Sequence, residues 1–377
     1  MDTSSLPKPI LITRPEAMDR MIKRLSGETI LAVDTESNSL YAYQEQVCLI
    51  QFSTPQEDFL VDPLALDDLS PLGSLFADPK IEKIFHAAEY DLISLKRDYR
   101  FKFENLFDTM LAARILGWQK IGLGSILKAE FDVDLNKRYQ RANWGRRPLP
   151  PEMMDYARLD THYLIPLRYR MKSELKSNGR WSLAKEDFAR LRYVNGRDPQ
   201  NQPEPCWRVR GAYDLAPQRA AVLLELCRYR NQVAKSINRP VFKVISDQAL
   251  LTIADACPRS EIELIEISAL SAKQHQRHTD GILRAVRNGL KSEPVYPPRT
   301  PRPDEQYLAR LEAMRNWRKE TAKAMHVKSD VVLPRDIMHT VAAQAPENYQ
   351  QLAALMEQVP YRLDRFGDQI IAVLSES

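Results

Sequence analysis

The chain has 377 residues, a length that predicts two or three domains, and its 44% hydrophobic and 28% charged residues sit near the globular norm, which argues against disorder or a fibrous architecture. Basic residues number 54 and acidic ones 50, a formal charge of +4, which is compatible with nucleic acid without requiring it. No apolar run approaches the roughly 20 residues of a membrane span, and the first residues lack a basic stretch followed by an apolar block, so a cytoplasmic location is expected.

Three short runs rich in β-branched and aromatic residues come first: Ile30 to Val33, Val47 to Phe52 and Phe59 to Val61. Short connections between them predict an antiparallel meander. A helical stretch near Leu69 to Phe76, a fourth strand over Ile81 to His86 and a helical period from Asp91 onward complete an α/β domain with a mixed sheet, assigned to residues 1–196. Two proline-rich segments, Arg197 to Pro205 and Lys291 to Asp304, read as extended linkers, because proline fixes φ and blocks helix continuation. Residues 208–290 and 304–377 then read as two small all-α bundles. They repeat one another: Tyr229-Arg230 aligns with Trp317-Arg318, Val244-Ile245 with Val332-Leu333 and Thr252-Ile253-Ala254 with Thr340-Val341-Ala342, all at an offset of 88 residues. Cys48, Cys206, Cys227 and Cys257 lie far apart with no Cys-x-x-Cys pair, and four reduced thiols are expected.

The segment Ile30-Leu31-Ala32-Val33-Asp34-Thr35-Glu36 carries the strongest chemical signal. An apolar strand ends in two carboxylates spaced i, i+2, which puts both on one face of the sheet. Like charges so close are costly unless a cation compensates, and Mg²⁺ or Mn²⁺ takes clustered oxygen ligands. The alternative for such a pair alone is a strand terminus with solvated acids. Asp91 falls in the first turn of a later helix, where it also suits the helix dipole. Pro150-Pro151 opens another helix on which Tyr156 and Asp160, four apart, share a face.

As an ordered set, Asp34, Glu36, Asp91 and Tyr156-x-x-x-Asp160 match the three motifs of the DEDD exonuclease superfamily in its tyrosine branch. The stretches Lys83 to Leu95 and Asn143 to Leu149 resemble ribonuclease D, although that family often has aspartate where Asn143 stands, and Asn143 is left out of the catalytic set. The repeated bundles are similar to the HRDC domain, the second more closely, since Leu333-Pro334-Arg335-Asp336 stands as that family writes it while the acid of the first, Asp247, sits one position early. The resemblance implies a ribonuclease H-like exonuclease domain followed by two HRDC domains. It also implies a 3′→5′ exoribonuclease that releases 5′-mononucleotides with two divalent ions, Mg or Mn. Asp34 would bridge both ions, Glu36 and Asp160 would complete the first site, Asp91 would serve the second, and Tyr156 would orient the attacking water. The implied partner is RNA, especially tRNA precursors with 3′ extensions, with no membrane and no obligatory protein partner.

The run from Lys137 to Arg147 holds five basic residues and no acid. Lys137, Arg138, Arg141, Arg146 and Arg147, with Trp144 for stacking, are therefore candidate RNA contacts, against the alternative of a solvated basic loop. His86 and His162 are expected to be structural. Two competing readings are a DNA exonuclease using the same carboxylates and a non-catalytic RNA-binding adaptor. Since all five motif residues precede residue 161, truncation after Asn195 is expected to spare hydrolysis of short RNA.

Overall fold

The computed structural model describes residues 6–196, 205–298 and 303–376. Nearly all of the first proline-rich linker and the centre of the second lie outside the described residues. Two compact units are present, one of residues 1–37, 47–196 and 302–377, the other of residues 38–46 and 197–301.

A six-stranded sheet organises the first unit. Its strands are β1 (Ile10–Ile12), β2 (Ile30–Ser37), β3 (Val47–Ser53), β4 (Asp58–Val61), β5 (Glu82–Phe85) and β6 (Leu106–Asp108), in the order β1-β4-β3-β2-β5-β6. The β2-β3-β4 meander is antiparallel as expected, while β5 joins β2, β6 joins β5 and β1 joins β4 in parallel. Three-residue β1 and β6, absent from the sequence expectation, are edge strands too short to show a period. Side chains alternate along β2. Leu31 and Val33 enter a core with α1 (Pro15–Leu25), α2 (Gly73–Ala77) and α3 (Glu89–Tyr99). Ile30 and Ala32 face the opposite way, into a core with α4 (Thr109–Leu116), α7 (Leu164–Ser177) and α8 (Trp181–Leu191). Helices α5 (Leu123–Phe131) and α6 (Pro151–His162) complete the layer, α6 packing Met153, Tyr156 and Ala157 onto Leu49 and Leu60.

The second unit contains α9 (Pro217–Ser236), α10 (Val241–Val244), α11 (Asp247–Ala256), α12 (Glu261–Glu266) and α13 (Ala272–Lys291). Residues 38–46 belong to it: the Tyr43 hydroxyl donates to Asn231 at 2.8 Å, and the Lys243 ammonium lies 4.1 Å from the centre of the Tyr41 ring. The expectation of four free thiols fails here. Cys206, on a short 3-10 turn, and Cys227, on α9, form a disulfide with Cα atoms 5.9 Å apart, because the turn packs directly on that helix. Cys48 and Cys257 are not disulfide-bonded.

The first unit also holds α14 (Glu305–Ala324), α15 (Ser329–Val332), α16 (Arg335–Gln344), α17 (Tyr349–Leu355) and α18 (Pro360–Ser375). Every one starts 88 residues after its counterpart, as 305 − 217 and 360 − 272 both give. The core contact repeats as well: Arg230 donates to the Ile245 carbonyl at 3.1 Å and Arg318 to that of Leu333 at 3.0 Å. The acid that is out of step has a different task in each copy. Asp247 pairs with Arg230 of its own bundle, and Asp336 with Arg190 of α8.

This last bundle does not hang from a tether. Val331 shares a core with Phe107, Ile115 and Leu183 of the sheet domain. Arg362 of α18, fully buried, pairs with Glu186 at 2.7 Å and Asp187 at 2.9 Å on α8, and Glu186 also accepts the Tyr361 and Arg362 backbone N–H groups at the start of α18. No helix among the described residues is long and apolar enough to cross a membrane.

Candidate active site

The composition of β2 changes abruptly from Ile-Leu-Ala-Val to Asp-Thr-Glu-Ser, and its burial changes with it, from fully buried to half-buried. Asp34 and Glu36 continue the face of Ile30 and Ala32. Proline at the first position of α6 presets the helical φ, and this helix, laid across β2, β3 and β4, brings Asp160 to the same place. One ligand oxygen from each of Asp34, Glu36 and Asp160 lies within 4.8 Å of the others. One helical turn before Asp160, the Tyr156 hydroxyl bonds its carboxylate. These four residues line a cavity of about 430 Å³ with His86, Ser125, Leu135, Lys137 and Gln140.

Asp91 arrives from the other side of the strand. Thr35 points opposite to its neighbours, and its hydroxyl donates to the Asp91 carboxylate. The turn leading into α3 is held by Asp108, a residue that the sequence reading did not single out. Its buried carboxylate caps α4 through the N–H groups of Met110 and Leu111 at 2.7 and 3.0 Å, and accepts those of Ala87 and Ala88 at 3.2 and 2.7 Å. Ala87 is left-handed, with φ 63°, a strained conformation for a residue with a Cβ. Asp-Thr-Met-Leu is a legible helix-start signal, but its reach across to residue 87 is tertiary.

Burial, reinforced by Asp91, Asp160 and Glu36, holds the Asp34 carboxyl well above its ordinary range, and burial with Asp160 and Asp91 does the same to Glu36. Asp91 and Asp160 are each pushed up to about 7, chiefly by burial, against the opposing hydrogen bonds from Thr35 and Tyr156. Burial, then Asp160, Glu36 and Asp34, raise the Tyr156 phenol, so it stays protonated. No lysine or arginine among the described residues pairs with any of the four carboxylates. A group of oxygen donors with excess negative charge and no cation fits a hard divalent ion.

That charge excess predicts a pH effect. In metal-free protein these carboxyls hold protons that the unfolded chain, with acids near pH 4, has already shed. Their stabilising contribution is therefore complete below about pH 4 and lost as pH rises through about 7. With EDTA the melting temperature should fall between pH 5.5 and 8, and the rise produced by Mn²⁺ should be larger at pH 8 than at 5.5. Equal increments at both pH values would place the bound ion elsewhere.

Of the basic run, Lys137, Arg138, Arg141 and Arg146 are exposed, and Lys137 reaches the cavity. Two residues of that set have other work. Trp144 is only 1% exposed and packs among Cys48, Leu49, Leu149 and Tyr156, so no ring face is open to a base. Arg147 is spent on Asp62, with contacts of 2.6 Å from Nε and Nη2, and on the carbonyls of Cys48 and Trp144. Both are corrected to structural residues, since their loop folds back on β3 and β4. Asn143 is exposed and accepts from the Gly145 N–H at 3.2 Å. His162 bonds Asp58 at 3.0 Å. His86 lies in the cavity wall, and burial draws its pKa down to about 4.

Comparison with known proteins agrees with this geometry. Residues 9–176 match the 3′-5′ exonuclease family, and residues 219–286 and 307–374 match the HRDC domain. Protein RRP6-like 1 of Arabidopsis thaliana is 31% identical over 306 residues, 76% of this chain and 47% of that protein. Exosome complex component 10 of Mus musculus is 32% identical over 66% of this chain and 29% of its own length. The chain thus spans less than half the length of these curated relatives. Among solved structures, the catalytic core of RRP6 from Trypanosoma brucei superimposes with a TM-score of 0.67 at 28% identity, covering 77% of this chain and 81% of that one. Escherichia coli RNase D has the same fold, with a TM-score of 0.70 at 22% identity over 98% and 99% of the two chains. By its residues 9–176 the chain belongs to the DEDD 3′-5′ exonuclease family, with two HRDC domains following in sequence, and it resembles the RRP6 relatives in sequence and RNase D in fold.

Proposed function

We propose that this chain is a 3′→5′ exoribonuclease that releases 5′-mononucleotides by hydrolysis at two divalent ions, Mg or Mn, and trims the 3′ ends of tRNA precursors and other small structured RNAs. The observation that carries the reading is the gathering of Asp34, Glu36 and Asp160 within 4.8 Å, beside Tyr156 and in reach of Asp91's charge. The preference for RNA is supported by relatives named for RRP6 and the exosome.

Asp34, Glu36 and Asp160 would hold one ion, and Asp34 with Asp91 the second. Bound divalent ions supply charge neutralisation at the phosphoryl group and lower the pKa of water. The protein's own groups position the reactants. Tyr156, kept protonated, orients the attacking water by hydrogen bonding rather than acting as a base. Lys137 at the cavity wall meets the negative phosphates, and Arg138, Arg141 and Arg146 extend that attraction along the strand.

The test uses 5′-labelled RNA with a 3′ extension, matched DNA and a 3′-extended tRNA precursor, each with Mg²⁺, Mn²⁺ or EDTA. A ladder shortening from the 3′ end of RNA, with 5′-mononucleotides formed only with metal, is the expected result. Equal or faster loss of DNA would replace the RNA assignment, and an intact tRNA precursor would remove that substrate.

A further inference from the structure

We propose that His86 reads the sugar of the terminal nucleotide, its Nε2 accepting a hydrogen bond from the ribose 2′-hydroxyl. This rests on the exoribonuclease reading above and adds to it the group that tells a ribose end from a deoxyribose end.

The protonation of the ring follows from the hydrogen bonds behind it. Thr109 is fully buried, and its single hydroxyl proton goes to the Phe85 carbonyl at 3.1 Å. The same oxygen lies 2.9 Å from His86 Nδ1. A carbonyl can only accept, so in the arrangement that satisfies both contacts the hydroxyl donates to Phe85 and accepts from Nδ1, which then carries the ring hydrogen. Nε2 is left with a bare lone pair. Among the described residues no group donates to it, and the ring stands in the wall of the cavity that holds Asp34, Glu36, Tyr156 and Asp160.

A neutral acceptor in this position selects an uncharged donor. The other acceptors of the cavity wall that lie nearest the reaction are carboxylates, which a divalent ion claims. Phosphate oxygens offer no hydrogen to an imidazole lone pair, whereas the sugar does. The 3′-hydroxyl is present on both RNA and DNA ends, and amino groups are present only on some bases. The 2′-hydroxyl is common to every ribonucleotide, and it is the group by which a protein separates RNA from DNA at a given site. A site built to bond a hydroxyl discriminates against the analogue that lacks it.

The experiment compares kcat/KM on three RNA oligomers that differ only in the last sugar: ribose, 2′-deoxyribose or 3′-deoxyribose. Wild type should prefer the ribose end to the 2′-deoxy end. In His86→Asn, whose amide can still donate to Thr109 but falls short of the Nε2 position, that preference should drop by about tenfold, with no change in the ratio for the 3′-deoxy end. His86→Gln, which can place an oxygen near the Nε2 position, should recover part of the preference. A merely structural role would lower all three rates together. An unchanged ribose to 2′-deoxyribose ratio in His86→Asn, a change confined to the 3′-deoxy arm, or wild type that treats ribose and 2′-deoxyribose ends alike would each overturn the inference while leaving the exonuclease reading in place. Wild type that shortens none of the three would overturn both.

Discussion

Asp34→Asn is expected to lower hydrolysis by at least about 10³-fold and, in the same protein, to raise the melting temperature measured in EDTA. The first effect follows from the loss of a charged oxygen ligand shared by the proposed ion sites, which removes several kcal/mol of transition-state stabilisation at about 1.4 kcal/mol per factor of ten. The second has the opposite sign because Asp34 sits among Asp91, Asp160 and Glu36, whose charges all push its carboxyl toward the protonated form. An amide of nearly the same shape cannot ionise, so the metal-free site loses a repulsion. Rate measured in single turnover and melting followed in EDTA separate these effects. Activity within tenfold of wild type would remove Asp34 from the reaction. A lower melting temperature in EDTA would show that Asp34 is a structural acid with a partner of its own. Asp160→Asn tests the same logic less cleanly, since Tyr156 bonds that carboxylate and would have to re-pair.

Arg362→Ala should destabilise the protein by about 3–5 kcal/mol, the cost of leaving a buried carboxylate without its partner. Arg362 is fully buried, and its guanidinium joins Glu186 and Asp187 of α8 to the Val331 carbonyl of α15. Truncation removes more, because it takes away the α18 N-terminus that Glu186 caps and uncovers the apolar face under Val331. The expectation that the chain can end after Asn195 and keep its catalytic body intact is therefore replaced by that of an aggregating or unfolded product. Urea titration of Arg362→Ala and of the truncated chain is the check. A midpoint unchanged in the point variant would show that the two elements are held together by the apolar contact alone. Catalysis by a well-folded truncated chain would mean that the last bundle contributes nothing to the sheet domain's stability.

Several features of this protein were legible in single segments. Asp34 and Glu36 share a face because a strand alternates every two residues, and Tyr156 and Asp160 share one because a helix returns after four. The duplication was legible for the same reason: helices α9 to α13 recur as α14 to α18 at one constant offset, so one short stretch predicts the next. Chemistry spaced along one element is carried by that element's own period.

What only the tertiary structure decided are pairings between segments that carry no common period. Trp144 and Arg147 look like nucleic-acid contacts in a basic loop, yet the loop folds back on β3 and β4 and buries one while pairing the other with Asp62. Cys206 and Cys227 carry no framework spacing, and they meet because a 3-10 turn packs on α9. Asp108 steadies the turn before Asp91 only because β6 lies beside β5, and the same neighbouring strands bring the Thr109 hydroxyl to His86 Nδ1. Glu186 and Arg362 are separated by most of the second half of the chain, and neither has a local signal, because the stabilisation of a buried ion pair exists only after both elements have left water together.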